Sequence, residues 1–151
     1  MLYSYRITKY FESNAKGDLI SSEDEWTSFS EVGNKVSLEE YLKVERSFLC
    51  IIKSVCEYLR VTKLKVADLE YIKGDPHVVN EQLLTVVNAC ELAQGILREE
   101  VWCKLVSPEI ELHFGYDFYM YLVSKVELSD FFTKTEFTNV LNIQKFKSPY
   151  I

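Results

Sequence analysis

Hydrophobic and polar positions alternate at the start of the chain. From Tyr3 to Thr8, aromatic or aliphatic side chains stand at the odd positions and polar side chains at the even positions. A period of two residues is typical of a strand that buries one face. We therefore predict a first strand over residues 2–11, followed by an exposed polar loop over residues 12–25.

A helical period follows further along the chain. Ser37-Leu38-Glu39-Glu40 is a capping box, in which the serine hydroxyl accepts from the amide of Glu40. Apolar residues then recur at helical spacing: Tyr41, Val44, Phe48, Ile51, Ile52, Val55, Tyr58 and Leu59. This pattern predicts a long helix over residues 38–60. Its opposite face is expected to carry solvated charges, namely Lys43, Glu45, Lys53 and Glu57.

A strand and a second helix are predicted next. Leu64, Val66, Leu69 and Tyr71 change phase after Val66, which predicts a strand with a bulge or a bend. The second helix is expected to start at Asn80, a residue that can cap it. Its inner face is expected to hold Leu83, Val86, Val87, Cys90, Ala93 and Leu97.

The last third of the chain is mostly strand-like. Turn residues at positions 107–108 and 115–117 divide residues 101–124 into an antiparallel meander. A short helix over residues 129–138 and a last strand over residues 141–146 complete the prediction. The predicted fold is α+β, a single domain over residues 1–151. A mainly antiparallel sheet packs one face against two main helices and leaves its other face open.

Composition and charge narrow the function classes. At 151 residues with 48% hydrophobic content, the chain can bury a sizeable core without disulfides. A net charge of −6 argues against nucleic-acid binding, which needs clustered Lys and Arg, and favours a basic protein partner. We see no signal peptide and no membrane-spanning run, so we predict a cytoplasmic protein.

No metal or cofactor site is predicted. The chain has no C-x-x-C pair and only two histidines, His77 and His113. The four cysteines are predicted to be small buried hydrophobic residues: Cys50, Cys56, Cys90 and Cys103. With five glycines and no glycine-rich phosphate loop, nucleotide cofactors are not expected either.

His113 is the best candidate for a catalytic side chain. It alternates onto the same strand face as Glu111, which could orient the imidazole. Because no nucleophile stands near it in sequence, we predict a structural role for His113 and no catalytic residue. A small hydrolase that uses His113 is kept as the alternative, and a regulatory or adaptor domain as another.

Two segments combine acidic and aromatic residues in a way that suits protein binding. Aromatic rings provide contact area and carboxylates provide charge-assisted hydrogen bonds to Arg and Lys. The first segment comprises Glu23, Asp24, Glu25 and Trp26, and the second comprises Glu109, Glu111, Tyr116, Asp117, Tyr119 and Tyr121. The alternative is that the tyrosines pack onto the sheet or beneath the second helix.

Four stretches of the sequence support a family resemblance: residues 3–10, 24–33, 113–121 and 146–150. In them the chain resembles small bacterial immunity proteins, which neutralise the toxin domain of a contact-dependent inhibition or polymorphic toxin system. The resemblance implies a cytosolic protein of one domain that occludes the toxin's active site. It supplies no catalytic motif and does not identify the toxin.

Overall fold

One antiparallel sheet of seven strands, in the order β3-β2-β4-β5-β6-β1-β7, dominates the described part of the computed structural model. The structure describes residues 2–16, 18–21, 25–74, 77–133 and 140–150. The strands are β1 (Tyr3–Thr8), β2 (Lys63–Tyr71), β3 (Leu83–Thr85), β4 (Val101–Val106), β5 (Ile110–Phe114), β6 (Tyr119–Ser124) and β7 (Asn142–Lys145). The helices are α1 (Leu38–Tyr58), α2 (Val86–Leu97) and the short α3 (Ser129–Thr133). The α+β prediction is confirmed.

Several local predictions are also confirmed. The meander forms as β4, β5 and β6, and the phase change in β2 is a bulge between Ala67 and Glu70. Asp68, which lies within the bulge, has a positive φ of 54°. Ser37 caps α1, because its hydroxyl accepts from the amide of Glu40 at 3.2 Å.

The predicted start of α2 is wrong. The helix begins at Val86, and Thr85 caps it by accepting from the Asn88 amide at 3.2 Å. Residues 83–85 instead pair with β2 as an edge strand. The Asn80 side chain does not cap the helix but accepts from the amide of Leu69 at 2.8 Å. Because α2 begins at Val86, a different set of its residues faces the core.

The buried residues of α2 differ from the predicted set for the same reason. Leu83 and Val87 are exposed, and Val86 and Cys90 are only half-buried. The helix buries Ala89, Leu92, Ala93, Ile96 and Leu97. The possible cap at Asn80 and the helical spacing of the apolar residues therefore predicted a helix that includes residues 83–85. These residues instead pair with β2 as a strand.

Glu45 was predicted to be a solvated charge, and this is also wrong, because it is 1% exposed. Its carboxylate accepts from Arg98 Nε at 2.7 Å and Nη2 at 3.0 Å, from Gln94 at 3.2 Å and from the Tyr41 hydroxyl at 3.0 Å. The buried charge is thus paired and fully hydrogen-bonded. These bonds connect α1 to the end of α2.

The cysteine prediction holds in part. Cys56 and Cys103 are buried and Cys90 is half-buried, but Cys50 is exposed on α1. Burial raises the pKa of the Cys56 and Cys103 thiols to about 12. The predicted helix over residues 129–138 is seen as α3, and residues 134–139 lie outside the described residues.

The two faces of the sheet are covered differently. The inner face shares one hydrophobic core with the helices, with Phe48 and Ile51 of α1 fully buried against it. The outer face was predicted to be open, but residues 146–150 cross it. We call these residues the strap. They pass from the end of β7 over β1, β6 and β5 to β4.

Within the described part of the chain, no helix combines the length and apolar character that a membrane span requires.

Candidate functional site

The β5–β6 hairpin separates the residues of the second predicted binding segment. Glu109 lies in the turn before β5, whereas Tyr116 and Asp117 lie in the turn after it, at the opposite end of the strand. Glu111 stands between these ends, on the outer face. Glu109 therefore does not share a surface with Tyr116 and Asp117.

The first predicted segment comes close to one end of this hairpin. Trp26 packs edge-to-face on Phe118, with ring centroids 5.1 Å apart. The Tyr10 hydroxyl donates to the backbone oxygen of Asp117 at 2.7 Å. The structure thus brings part of the two segments together, while Glu23 and Asp24 lie outside the described residues. We call the surface here the acidic corner, formed by Asp18, Glu25, Trp26, Tyr116, Asp117 and Tyr119.

Lys9 fastens the acidic corner to β1. Its ammonium lies 4.4 Å from the ring centroids of both Tyr10 and Trp26 and 3.2 Å from a carboxylate oxygen of Glu25. Burial lowers the pKa of Lys9, and the charge of Glu25 opposes that shift. Glu25 is half-buried, and its carboxylate is paired with Lys9. No periodicity in the sequence indicates the ion pair of Lys9 with Glu25.

The exposed charge of the corner comes from Asp18 and Asp117. Burial raises the pKa of Tyr10 above its usual range, and Asp117 and Glu25 raise it further. Burial also raises the pKa of Tyr119; Arg6 opposes this, while Asp117 and Asp18 add to it. Tyr10 therefore lies in a negative electrostatic environment, whereas Tyr119 lies between the positive charge of Arg6 and the negative charges of the two aspartates. Tyr116 projects from the same turn and is 68% exposed.

Tyr121 occupies a different position from the one expected for a binding residue. It is 7% exposed, and its ring lies 6.2 Å from that of Phe146 and 5.9 Å from that of Tyr150. The strap therefore covers it. Tyr119 is half-buried, with its ring 5.8 Å from that of Tyr10. Tyr121 thus follows the alternative prediction, in which the tyrosines pack onto the sheet, and its prediction as a binding residue is wrong.

His113 is buried beneath the strap. Its Nδ1 lies 2.8 Å from the Ser148 hydroxyl, and its Nε2 lies 3.4 Å from Glu111 Oε1. Burial lowers the pKa of His113, and the hydrogen bond and charge of Glu111 oppose that shift. In the neutral imidazole, an Nε2–H that donates to Glu111 leaves Nδ1 to accept from Ser148. Glu111 was expected beside His113; Ser148 was missed because it is far away in sequence.

Serine, imidazole and carboxylate in this order resemble a nucleophilic triad. A nucleophile must also reach its substrate, and Ser148 is only 2% exposed. The Ser148 oxygen accepts from the amide of Tyr150 at 3.2 Å, and the Ser148 amide donates to the Ser4 hydroxyl at 3.0 Å. These contacts hold the strap on the sheet.

A groove of about 440 Å³ lies beside α2, away from the acidic corner. Its wall contains polar side chains from several segments, including Lys73, Gln82, Glu91 and Glu100. None of the predicted binding residues that the structure describes lines it. Among the described residues, no group of three or more His, Cys, Asp or Glu side chains could hold a metal ion.

Comparison of the chain with models of protein families, with curated proteins and with solved structures finds no match in any of the three.

Proposed function

We propose that this chain is a non-enzymatic binding protein that neutralises a bacterial toxin domain in the cytoplasm, as the immunity protein of a contact-dependent inhibition or polymorphic toxin system. The acidic corner carries the proposal. There an exposed tyrosine and two exposed carboxylates project beside a turn held by Lys9, Tyr10 and Trp26.

The chemistry of the corner suits a basic partner. Tyrosine contributes a large contact area with few rotatable bonds, and carboxylates form charge-assisted hydrogen bonds with Arg and Lys. The overall charge of −6 would speed the encounter with a cationic surface. The contacts of Tyr10 with Asp117 and of Trp26 with Phe118 restrain this turn before binding, which lowers the conformational entropy that binding costs. A basic toxin domain covered in this way would lose access to its substrate.

The second candidate function is hydrolysis, and the contact of Ser148 with His113 is the observation that favours it. Burial of both side chains weighs against it, because a substrate would first have to displace the strap. The alanine variants of Ser148 and His113 discriminate between the two functions. A hydrolase would lose its activity in both, whereas a binding protein would keep neutralising its toxin as long as it folds.

The experiment requires a defined toxin. If a gene for a large secreted protein lies directly upstream of the gene for this chain, the toxin domain that it encodes is the one to test. Cells that express this domain should grow when the chain is co-expressed, and the purified pair should form a complex in surface-plasmon measurements. A toxin domain that kills equally well with and without the chain, and does not bind it, would overturn the proposal.

A further inference from the structure

Arg6 lies on the outer face of β1, next to the edge strand β7, with an unusual set of contacts. It is 8% exposed, and in the sheet it stands between Tyr121 on β6 and Gln144 on β7. Its Nη2 donates to Gln144 Oε1 at 2.7 Å. The ring of Phe146 covers one side of the guanidinium, with its centroid 4.0 Å from Cζ.

The guanidinium has hydrogen-bonding capacity that the protein does not use. Arg6 Nε is buried and has no hydrogen-bond partner. Within the described ranges, no carboxylate lies within ion-pair distance of Arg6. A buried cation without a counter-ion and a buried N–H without an acceptor are both unfavourable. Buried N–H groups in proteins usually have a hydrogen-bond acceptor, so the unpaired Nε–H of Arg6 suggests an acceptor from a bound molecule.

We infer that Arg6 is the centre of an oxyanion-binding site that accepts a carboxylate group. The Nε and Nη2 atoms of arginine lie on one edge of the guanidinium, and a carboxylate can bind that edge through two hydrogen bonds. In this structure the amide oxygen of Gln144 accepts from Nη2 on this edge and Nε has no partner, so a carboxylate binds both atoms by displacing the side chain of Gln144.

The surroundings favour a singly charged anion and supply further donors. Because the ring of Phe146 covers one side of the guanidinium, an anion binds through the N–H groups at its edge. A carboxylate carries one negative charge, which a single guanidinium balances, whereas a phosphate group at neutral pH carries more than one. Tyr119 and Tyr121 lie close enough for the charge of Arg6 to oppose the raised pKa of both phenols. Their hydroxyl groups are potential donors to a bound carboxylate.

The carboxylate can come from a small molecule or from an acidic side chain of a bound protein, and both share this chemistry. We would titrate the whole chain with acetate, with N-acetylglutamate α-amide and with inorganic phosphate, each replacing chloride at constant ionic strength. The readout is the ¹⁵N–¹H resonance of Arg6 Nε. Acetate should shift this resonance in a saturable manner. A severalfold tighter response to the glutamate derivative would indicate a protein side chain as the source, and equal responses a small carboxylate.

Two variants test whether Arg6 is the site. Gln144→Glu supplies an internal carboxylate, so its Arg6 Nε resonance should already be shifted and acetate should have no further effect. Arg6→Met should remove the rise in melting temperature that acetate gives the parent protein, about 2 °C or more when acetate is at about ten times its dissociation constant. Arg46→Met, which removes an exposed arginine of α1, is the matched control and should keep that rise.

The proposal is overturned if acetate leaves the Arg6 Nε resonance unchanged, or if phosphate shifts it at least as strongly as acetate. It is equally overturned if Gln144→Glu responds to acetate as the parent protein does. If Arg6→Met does not fold, the comparison of Gln144→Glu with the parent still decides.

Discussion

The Tyr10 hydroxyl donates to the backbone oxygen of Asp117 at 2.7 Å, although 107 positions separate the two residues in the sequence. This bond links the end of β1 to the β5–β6 turn and thereby sets the geometry of the acidic corner. We expect Tyr10→Phe to lower the free energy of unfolding by about 1 kcal/mol, since one partly buried hydrogen bond is lost. Urea denaturation measures this change. An unchanged midpoint would mean that the bond does not stabilise the corner.

Binding to the toxin domain should depend on the corner and not on the other end of the hairpin. Asp117→Lys should slow association, and the effect should shrink as salt screens the charges. Tyr116→Ala should cost about 2 kcal/mol of binding energy, mainly through faster dissociation. Surface-plasmon kinetics at two salt concentrations measure both effects.

Glu109→Lys is the matched control for that prediction. It makes the same change of charge at the opposite end of β5. If Glu109→Lys weakens binding as much as Asp117→Lys does, the acidic corner is not the interface.

Loss of the Glu45 carboxylate should be costly. Glu45→Ala leaves Arg98 without its bidentate partner, and breaking such a buried pair costs about 3 kcal/mol or more. Glu57→Ala on the exposed face of the same helix should change the unfolding free energy by less than about 0.5 kcal/mol. Equal unfolding midpoints for the two variants in guanidinium would contradict the role assigned to Glu45.

Because of His113, the free energy of unfolding should decrease when the pH is lowered into the mildly acidic range. Its pKa in the folded state is lowered by burial, so the unfolded chain binds the proton more tightly. The stability from the neutral imidazole is therefore complete above about pH 6.5 and is lost as the pH falls below that value. Glu111 favours the charged imidazole and so reduces the lowering of the pKa of His113. Lys104 disfavours the charged imidazole and adds to that lowering.

The measurement for His113 compares urea midpoints of the parent protein and of His113→Gln across this pH range. The variant lacks the titrating group, so the difference in unfolding free energy should shrink towards about pH 5. A difference that is constant with pH would show that His113 does not titrate differently in the two states.

The cysteines should react in a fixed order. Cys50 is exposed, so it should react with a thiol reagent in the native protein. Cys56 and Cys103 are buried with raised pKa values and should react only after unfolding in urea. Following the reaction by absorbance gives the two classes. Loss of the fast class in Cys50→Ser verifies the assignment, and its persistence would refute it.

Local pattern was sufficient for much of this fold. The two-residue period of β1, the capping box of α1 and the turn residues of the meander each act within a few positions, so the sequence reveals them. Residues 83–85 were misassigned because their apolar spacing fits a helix and a strand equally. Only the pairing with β2 decides between them.

The long-range polar contacts could not be predicted in this way. Glu45 reads as a surface charge until Arg98, a residue of another helix end, is placed beside it. Ser148 likewise has no sequence signal that links it to His113. Long-range contacts were also missed at the acidic corner. The sequence analysis predicted Trp26 and Asp117 as binding residues, but it did not predict that Lys9 contacts Trp26 or that Tyr10 contacts Asp117.

The place of β1 in the sheet has a consequence for synthesis on the ribosome. β1 emerges early, yet both of its neighbours, β6 and β7, are made much later. Until then its backbone N–H and C=O groups have no partner strand, while α1 and the β2–β3 hairpin can already form from local contacts. The nascent protein would therefore carry an unpaired, half-apolar strand until β6 and β7 have been synthesised. Such a segment is a natural binding site for a ribosome-associated chaperone.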